Sequence, residues 1–488
     1  MTICFFGCDH KYETEAVMKL FLPLTLFEFR YDEAAEGDRA EIAENGGKLS
    51  VSVTLNGRTG AMESTSAEAA AEGFSDEQAL CRMLFTVMAR LTGIMPKWGC
   101  LTGIRPVKKI NKLAADGLSK EEIFAELKRR YYTSDEKLEL AYAVSQTQAE
   151  ALRTLEDNSY SLYISIPFCP TRCAYCSFVS HSIQSSGAKL IPEYTDKLCE
   201  ELEMTARTAR EYGLKLDTIY IGGGTPTAIS AEFLEKIMKK TAECFDISAA
   251  REYTVEAGRA DTITEEKLRV IKGMGATRIS VNPQTMIDSV LAAAGRKHTA
   301  QQVIECFNMA RRLGFDNINM DTIAGLPTDT EEGFRYTIDT LIGLDPEDIT
   351  VHTLTVKRSA DLFARSDEVK KNVSPEAVDN MVSYACRTLM DKGYMPYYLY
   401  RQKNTVGNLE NVGYAKKGHE SLYNIYIMEE AQTILAAGAS GSTKLVNRAT
   451  GKIDRLINYK YPYEYISRFG QMIEKKNKLF ESTKNNIE

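Results

Sequence analysis

LYISIPF, starting at Leu162, is the first of six short segments rich in Ile, Val, Tyr and Thr that recur through the middle of the chain. The others are DTIYIGG from Asp217, EYTVEAG from Glu252, RISVNPQ from Arg278, NINMDTIAG from Asn317 and DITVHTL from Asp348. Between them lie amphipathic stretches such as IPEYTDKLCEELEMTAR, AEFLEKIMKKTAECF, TEEKLRVIKGMG and AQQVIECFNMARRLGF, with apolar residues every three or four positions. Strand signals alternating with helix signals call for parallel pairing through right-handed crossovers. Six such units in roughly 200 residues fit a doubly wound sheet or a partial (β/α) barrel, and the strand pattern does not separate the two.

Outward from this region, residues 1–155 begin with β-like stretches (TICFFG, LTLFEFRY, KLSVSVTLNG) and continue with helical ones (SDEQALCRMLFTVMARL, SKEEIFAELKRRY, SDEKLELAYAVSQTQAEALRTL), which predicts an α+β domain. It holds the single tryptophan, Trp98, beside the bases Arg105, Lys108 and Lys109; a packed aromatic with solvated bases is the expectation, docking of a partner or nucleic acid the alternative. Residues 366–488 give one strong helix (SPEAVDNMVSYACRTLMDKG), the aromatic run YMPYYLYRQKN, the glycine-turn segments NLENVGYAKKG and AAGASGS, and a charged end, KNNIE, expected to fray. The expected boundaries are therefore 1–155, 156–365 and 366–488, the last a smaller α+β appendage.

The chain has 488 residues, 44% hydrophobic and 26% charged, which is the composition of a globular protein that buries real cores. Its net charge of −7 offers no general field for nucleic acid or an anionic membrane, so an anionic substrate must meet a local basic cluster. No secretory signal and no membrane-spanning run is visible, and the cytoplasm is the expected location. Eleven cysteines in such a chain argue for thiols or metal ligands over a disulfide framework.

Three of them cluster as Cys169-Pro-Thr-Arg-Cys173-Ala-Tyr-Cys176, on the loop that follows the first strand. Structural zinc sites and ordinary iron–sulfur clusters take four protein ligands, and the position after Cys176 is Ser177. A cluster held by three thiolates keeps one iron open to a small chelate. The competing readings are a zinc site completed by a distant ligand such as His181, or three unrelated core cysteines. After the second strand comes Gly222-Gly223-Gly224-Thr225, whose glycines allow close backbone approach to a ligand; alone it reads as a tight strand-to-helix turn. The remaining strands end in polar residues: Glu256, Asn282 and Gln284, Asp321 and His352. Ligands of parallel sheets and barrels bind at the carboxyl ends of the strands, so these side chains are candidates for one shared site.

The CxxxCxxC spacing, with Tyr175 before the last cysteine and six βα units behind it, resembles the radical S-adenosylmethionine superfamily. The resemblance implies a partial (β/α)6 barrel, one 4Fe-4S cluster on Cys169, Cys173 and Cys176, and S-adenosylmethionine on the fourth iron, cleaved to a 5′-deoxyadenosyl radical that abstracts hydrogen. Order and spacing from Tyr163 to Asp321 are similar to the oxygen-independent coproporphyrinogen III oxidases, oxidoreductases of haem and porphyrin biosynthesis. That resemblance, over roughly 160–450, puts Tyr163, Gly223, Gly224, Thr225 and Glu256 around the cluster-bound S-adenosylmethionine. It puts Tyr175, Gln284, Arg296 and Asp321 in the rest of the cofactor pocket, beside a second S-adenosylmethionine in the oxidase itself. Tyr163 and Arg296 are the candidates for a part in catalysis. The implied partners are a tetrapyrrole, coproporphyrinogen III in the first instance, and a low-potential donor such as flavodoxin or ferredoxin.

Two departures from that pattern bear on substrate. The oxidases carry a fourth cysteine, CxxxCxxCxC, where this chain has Ser177-Phe178, and they lack its first 155 residues, with Cys4, Cys8 and His10. The pattern resembles that of the oxidase-like proteins with an amino-terminal extension. A haem-binding chaperone, or radical chemistry on another tetrapyrrole, stays open at this point, while Cys4 and Cys8 are expected to be buried or incidental thiols. Tyr397, Tyr398, Tyr400 and Arg401 with Lys403 offer a stripe for a propionate-bearing macrocycle, or simple packing; Gly438-Ala439-Ser440-Gly441 offers a turn that lines a cavity.

Overall fold

The structure, a computed structural model, describes residues 1–488 apart from 24, 104, 179–180, 358, 365–372, 449 and 484–488. The KNNIE end therefore lies outside the described residues. The chain divides into two compact units, Met1–Tyr142 with Arg401–Glu410, and Ala143–Tyr400 with Asn411–Glu488.

In the first unit, strands β1 (Thr2–Phe6), β2 (Glu28–Tyr31), β3 (Arg39–Asn45), β4 (Lys48–Leu55) and β5 (Arg58–Thr65) form a sheet in the order β2-β1-β3-β4-β5. β1 is parallel to both neighbours, and β3, β4 and β5 form an antiparallel meander. Alternation in β4 buries Leu49, Val51 and Val53, which join Met18 and Phe21 of helix Lys11–Phe21 and Leu84, Phe85 and Met88 of helix Asp76–Thr92 in one core. Ser75 opens the second helix by a capping box with Gln78, which satisfies two free amides at its start. Trp98 is buried; its Nε1 donates to Glu410 at 2.7 Å, Lys137 Nζ donates to the same carboxylate at 2.6 Å, and Arg401 lies over the ring. Trp98 is thus a packed aromatic. Cys4 is buried, Cys8 sits against the Ile42 carbonyl at 3.7 Å, and His10 faces Glu44 at 3.3 Å.

The second unit carries β6 (Ser159–Ile166), the short pair β7 (Phe168–Cys169) and β8 (His181–Ser182), then β9 (Lys215–Gly223), β10 (Glu252–Gly258), β11 (Arg278–Val281), β12 (Ile318–Ala324) and β13 (Asp348–Thr353). β14 (Met395–Arg401), β15 (Glu410–Ala415), β16 (Thr433–Ala437), β17 (Ser442–Val446) and β18 (Ile453–Ile457) complete an eleven-stranded sheet, ordered β14-β15-β13-β12-β11-β10-β9-β6-β16-β17-β18. Among the described residues the seven strands from β13 to β16 are all parallel, the arrangement of a partial (β/α) barrel. Thr264 and Thr330 cap the helices that follow β10 and β12 and stop those strand-to-helix loops at a fixed point, while beyond β11 Thr299 caps the second of two helices, Ala300–Arg312.

The period of two along each strand sorts side chains into two faces. Ile219, Ile221, Val255, Ile279, Met320, Ile349 and Val351 form one buried apolar row. The alternate positions are polar and bond to one another across strands: Thr218 to Ser161 at 2.7 Å, Arg278 to Asp348 at 2.5 Å, and Thr350 to Asn319 at 3.1 Å. A barrel interior this polar gives the carboxyl ends of the strands a charged floor.

Candidate active site

β6 ends at Ile166, and the chain then pairs Phe168 with His181 and Cys169 with Ser182, which closes the base of the cysteine loop. Within the loop the Cys176 amide donates to the Cys173 carbonyl at 3.0 Å, which closes a turn between the last two cysteines. Neighbouring segments grip it: Ala174 N donates to Ala294 O at 3.1 Å, Leu362 N to Ala174 O at 3.0 Å, and Arg259 Nη1 to Thr171 Oγ1 at 2.9 Å. Cys169 and Cys173 are buried and Cys176 half-buried.

The glycine turn is packed on this loop. A Cβ on Gly224 would lie 2.5 Å from the Phe168 carbonyl oxygen, one on Gly222 3.1 Å from the Glu256 carboxylate, and Gly223 has φ = 114°. Only glycine permits that approach. Thr225 follows with its amide on the Phe168 carbonyl at 2.8 Å and its hydroxyl 3.5 Å from Cys169 Sγ.

Beside the glycines stands Glu256. Burial pushes its carboxyl up to about 7, against the Tyr220 hydroxyl, which donates to Oε1 at 2.7 Å. Tyr220 stacks at 4.4 Å on Tyr423, from helix Leu422–Glu429, and Tyr163 stacks on both at 6.2 and 6.1 Å. Tyr163 pairs in register with Tyr220, one level below Gly222. The helix start is fixed from beneath by Glu252, whose carboxylate accepts from Ser421 Oγ at 3.0 Å and Leu422 N at 2.6 Å.

Gln284 has φ = 69°, bridges to Thr322 outside regular pairing, and donates its amide to the Asp321 carbonyl at 2.9 Å. The Asp321 carboxylate accepts from Asn319 at 2.8 Å and faces His352 Nε2 at 3.8 Å. Burial works to raise its pKa, and the contacts with His352 and Asn319 outweigh it and leave it lowered. Arg296 is buried, with Nη1 on the Tyr175 hydroxyl at 3.3 Å. The structure thus brings Tyr175 to Arg296, Thr225 to Cys169, and Gln284 to Asp321, all at the carboxyl ends of the strands.

Two buried polar atoms in this region, Gln284 Oε1 and Arg296 Nε, have no hydrogen-bond partner. Buried polar groups are paired in finished proteins, so both mark space for a polar ligand. No three His, Cys, Asp or Glu side chains among the described residues are placed to hold a single metal ion. Thiolates bound to three different irons stand further apart than the ligands of one ion. Three cysteines on a gripped loop, backed by close-packed glycines and by a guanidinium with a free nitrogen, fit a cluster and a polar cofactor. Tyr220, Tyr423 and Arg259 are not in the sequence-based set; Tyr423 had no signal, being remote in the chain, whereas Arg259 directly follows Glu252-Tyr-Thr-Val-Glu-Ala-Gly258.

The Radical SAM superfamily description matches residues 163–341, the stretch that carries these features. Oxygen-independent coproporphyrinogen-III oxidase-like protein HemZ of Bacillus subtilis (strain 168) is 44% identical over 393 residues, covering 80% of this chain and 78% of that protein. This chain belongs to the radical SAM superfamily. Within it, the relation to HemZ puts the chain among the coproporphyrinogen-III-oxidase-like enzymes. The match is longer than everything that follows residue 155, so it runs into the amino-terminal region. Heme chaperone HemW of the same organism is 32% identical over 62% of this chain and 77% of that protein. The solved structure of coproporphyrinogen III oxidase (HemN) from Escherichia coli superposes with a TM-score of 0.51 at 21% identity, over 67% of this chain and 72% of that one, and shares the fold. Radical SAM enzymes bind a 4Fe-4S cluster and S-adenosylmethionine, the cofactors of this enzyme.

Proposed function

We propose that this radical SAM enzyme converts propionate side chains of coproporphyrinogen III to vinyl groups without oxygen, giving protoporphyrinogen IX. The observation that carries the reading is the 44% identity to an oxidase-like protein across four fifths of the chain, including part of the amino-terminal region. Each propionate loses one hydrogen atom from its β-carbon, one electron and carbon dioxide, and the remaining two carbons become the vinyl group. The electron passes to an acceptor outside the chain, and a low-potential donor such as flavodoxin or ferredoxin supplies the reducing electron.

The cluster and S-adenosylmethionine, when bound, supply the one-electron chemistry that abstracts the hydrogen. Cys169, Cys173 and Cys176 hold the cluster. Gly223, Gly224 and Thr225 present backbone and hydroxyl to the amino acid end of S-adenosylmethionine, and Glu256 accepts from its amino group. Tyr163 with Tyr220 and Tyr423 makes the aromatic wall below. Arg296 offers its free Nε to a carboxylate, and Asp321 accepts from ribose hydroxyls. Among the described residues no helix is long and apolar enough to cross a membrane.

A second reading, stoichiometric haem binding, draws on the HemW relatives. The stripe Tyr397–Lys403 gives little support to a macrocycle: Tyr397 and Tyr398 are buried, Tyr397 donates to Asp348 at 2.7 Å, and Arg401 is held by backbone carbonyls. The test is an anaerobic assay of the reconstituted enzyme with reductant, S-adenosylmethionine and coproporphyrinogen III, read by mass spectrometry. Vinyl products rising with 5′-deoxyadenosine support the proposal. Cleavage without porphyrin product rejects the substrate, and tight haem binding without cleavage favours the second reading.

A further inference from the structure

Arg259 follows β10 at the sequence Gly258-Arg259-Ala260-Asp261 and is 3% exposed. Its guanidinium has two sides. Nε and Nη2 hold the Asp261 carboxylate at 2.9 and 2.7 Å. Nη1 points the other way, into the cysteine loop, and donates to Thr171 Oγ1 at 2.9 Å, Thr171 O at 3.2 Å and Cys173 Sγ at 3.6 Å. Beyond Asp261 stands the buried ring of His298, Nδ1 at 3.7 Å from Oδ1. A neutral donor would be enough to strap the loop through Thr171. A guanidinium costs far more to bury, and its extra consequence is a cationic N–H on a cluster-ligand sulfur.

Hydrogen bonds to the sulfurs are among the levers that set the potential of an iron–sulfur cluster. A cationic donor stabilises the state with the extra electron and so raises the midpoint. We propose that Arg259 is a positioning residue that raises the midpoint potential of the cluster through its contact with Cys173 Sγ, and that Asp261 sets how much of its charge reaches the sulfur. The inference rests on the cluster and not on the tetrapyrrole.

The test uses the full chain, reconstituted with iron and sulfide and checked for iron content, in an anaerobic titration with dithionite followed by electron paramagnetic resonance. Neither S-adenosylmethionine nor porphyrin is added, so failure of the proposed substrate leaves the result untouched. Arg259→Gln is expected to lower the reduced-to-oxidised ratio at fixed potential about tenfold, a negative shift of about 59 mV for one electron, and Arg259→Lys to recover part of it. Asp261→Asn, which leaves the guanidinium on Thr171 with its charge less compensated, is expected to shift the midpoint in the positive direction. A loop that is merely loosened would move Arg259→Gln and Asp261→Asn the same way. Unchanged midpoints, or shifts of one sign in both, overturn the proposal. Should Arg259→Gln take up less than a full cluster, Asp261→Asn decides: a positive shift supports the inference, and no shift or a negative one overturns it.

Discussion

Tyr220→Phe removes one hydroxyl and keeps the ring that stacks on Tyr163 and Tyr423. What it deletes is the donor 2.7 Å from Glu256 Oε1. Burial holds that carboxyl up at about 7, and the Tyr220 hydrogen bond is the largest of the effects that pull it down. A hydrogen bond to a charged group contributes about 1.5–3 kcal/mol, so its loss raises the Glu256 pKa by roughly one to two units. At pH ~7.5 the ionised fraction then falls from about three quarters to about a tenth, and a ligand that needs the carboxylate binds roughly eightfold more weakly. Above pH ~9.5 both proteins carry the carboxylate and the difference closes. Equilibrium dialysis of S-adenosylmethionine against the reconstituted enzymes, at several pH values, reads this directly. The ratio of the two dissociation constants cancels the ligand's own titration. A ratio of one throughout, or one independent of pH, refutes the reasoning.

Glu256 also gives stability a pH slope: its folded-state pKa lies above the unfolded value of 4.5, so its contribution is complete below 4.5 and is lost as pH rises through about 7. Glu256→Gln is expected to flatten that part of the curve, as read by urea denaturation at pH ~5.5 and ~7.5. Asp348→Ala leaves the Arg278 guanidinium, 1% exposed, without its carboxylate and is expected to cost about 3–5 kcal/mol in the same assay. Gly438 has φ = 94°, and a Cβ there would sit 2.5 Å from the Ser165 carbonyl oxygen. Gly438→Ala is expected to destabilise the fold by at least about 1–3 kcal/mol and, by displacing the end of β6, to reduce iron uptake.

The barrel was legible where its strands are apolar and bounded by helices. EYTVEAG coincides with β10, and DTIYIGG and DITVHTL miss their strands by a residue or two. The cysteine spacing announced the cluster because its meaning is local. β15 and β16 were harder: ENVGYA and TILAA sit among glycines that read as turns, and their strand character comes from pairing with β13 and β6. β3 and β5 were hidden for a similar reason, being polar at alternate positions and completed by the hairpins around β4. At the site, Glu256, Gln284 and Asp321 were visible as polar residues toward the ends of strands, and Arg296 only through the family resemblance. Tyr423 was not, since only the tertiary fold carries a helix more than 200 residues downstream of Tyr220 onto its ring. In the Gly438–Gly441 turn the Gly438 and Ala439 amides donate to the buried Glu201 carboxylate and Tyr194 hydroxyl at 2.7 and 2.8 Å, partners that lie more than 200 residues away and that the sequence alone does not bring to it.

The most direct test of the account follows the hydrogen atom. Coproporphyrinogen III deuterated at the propionate β-carbons is given to the reconstituted enzyme under anaerobic conditions with reductant and S-adenosylmethionine, and the 5′-deoxyadenosine is analysed by mass spectrometry. The account expects one deuterium in each 5′-deoxyadenosine, in step with carbon dioxide release and vinyl formation. Deoxyadenosine that forms without deuterium, or deuterated substrate recovered intact while S-adenosylmethionine is consumed, contradicts it.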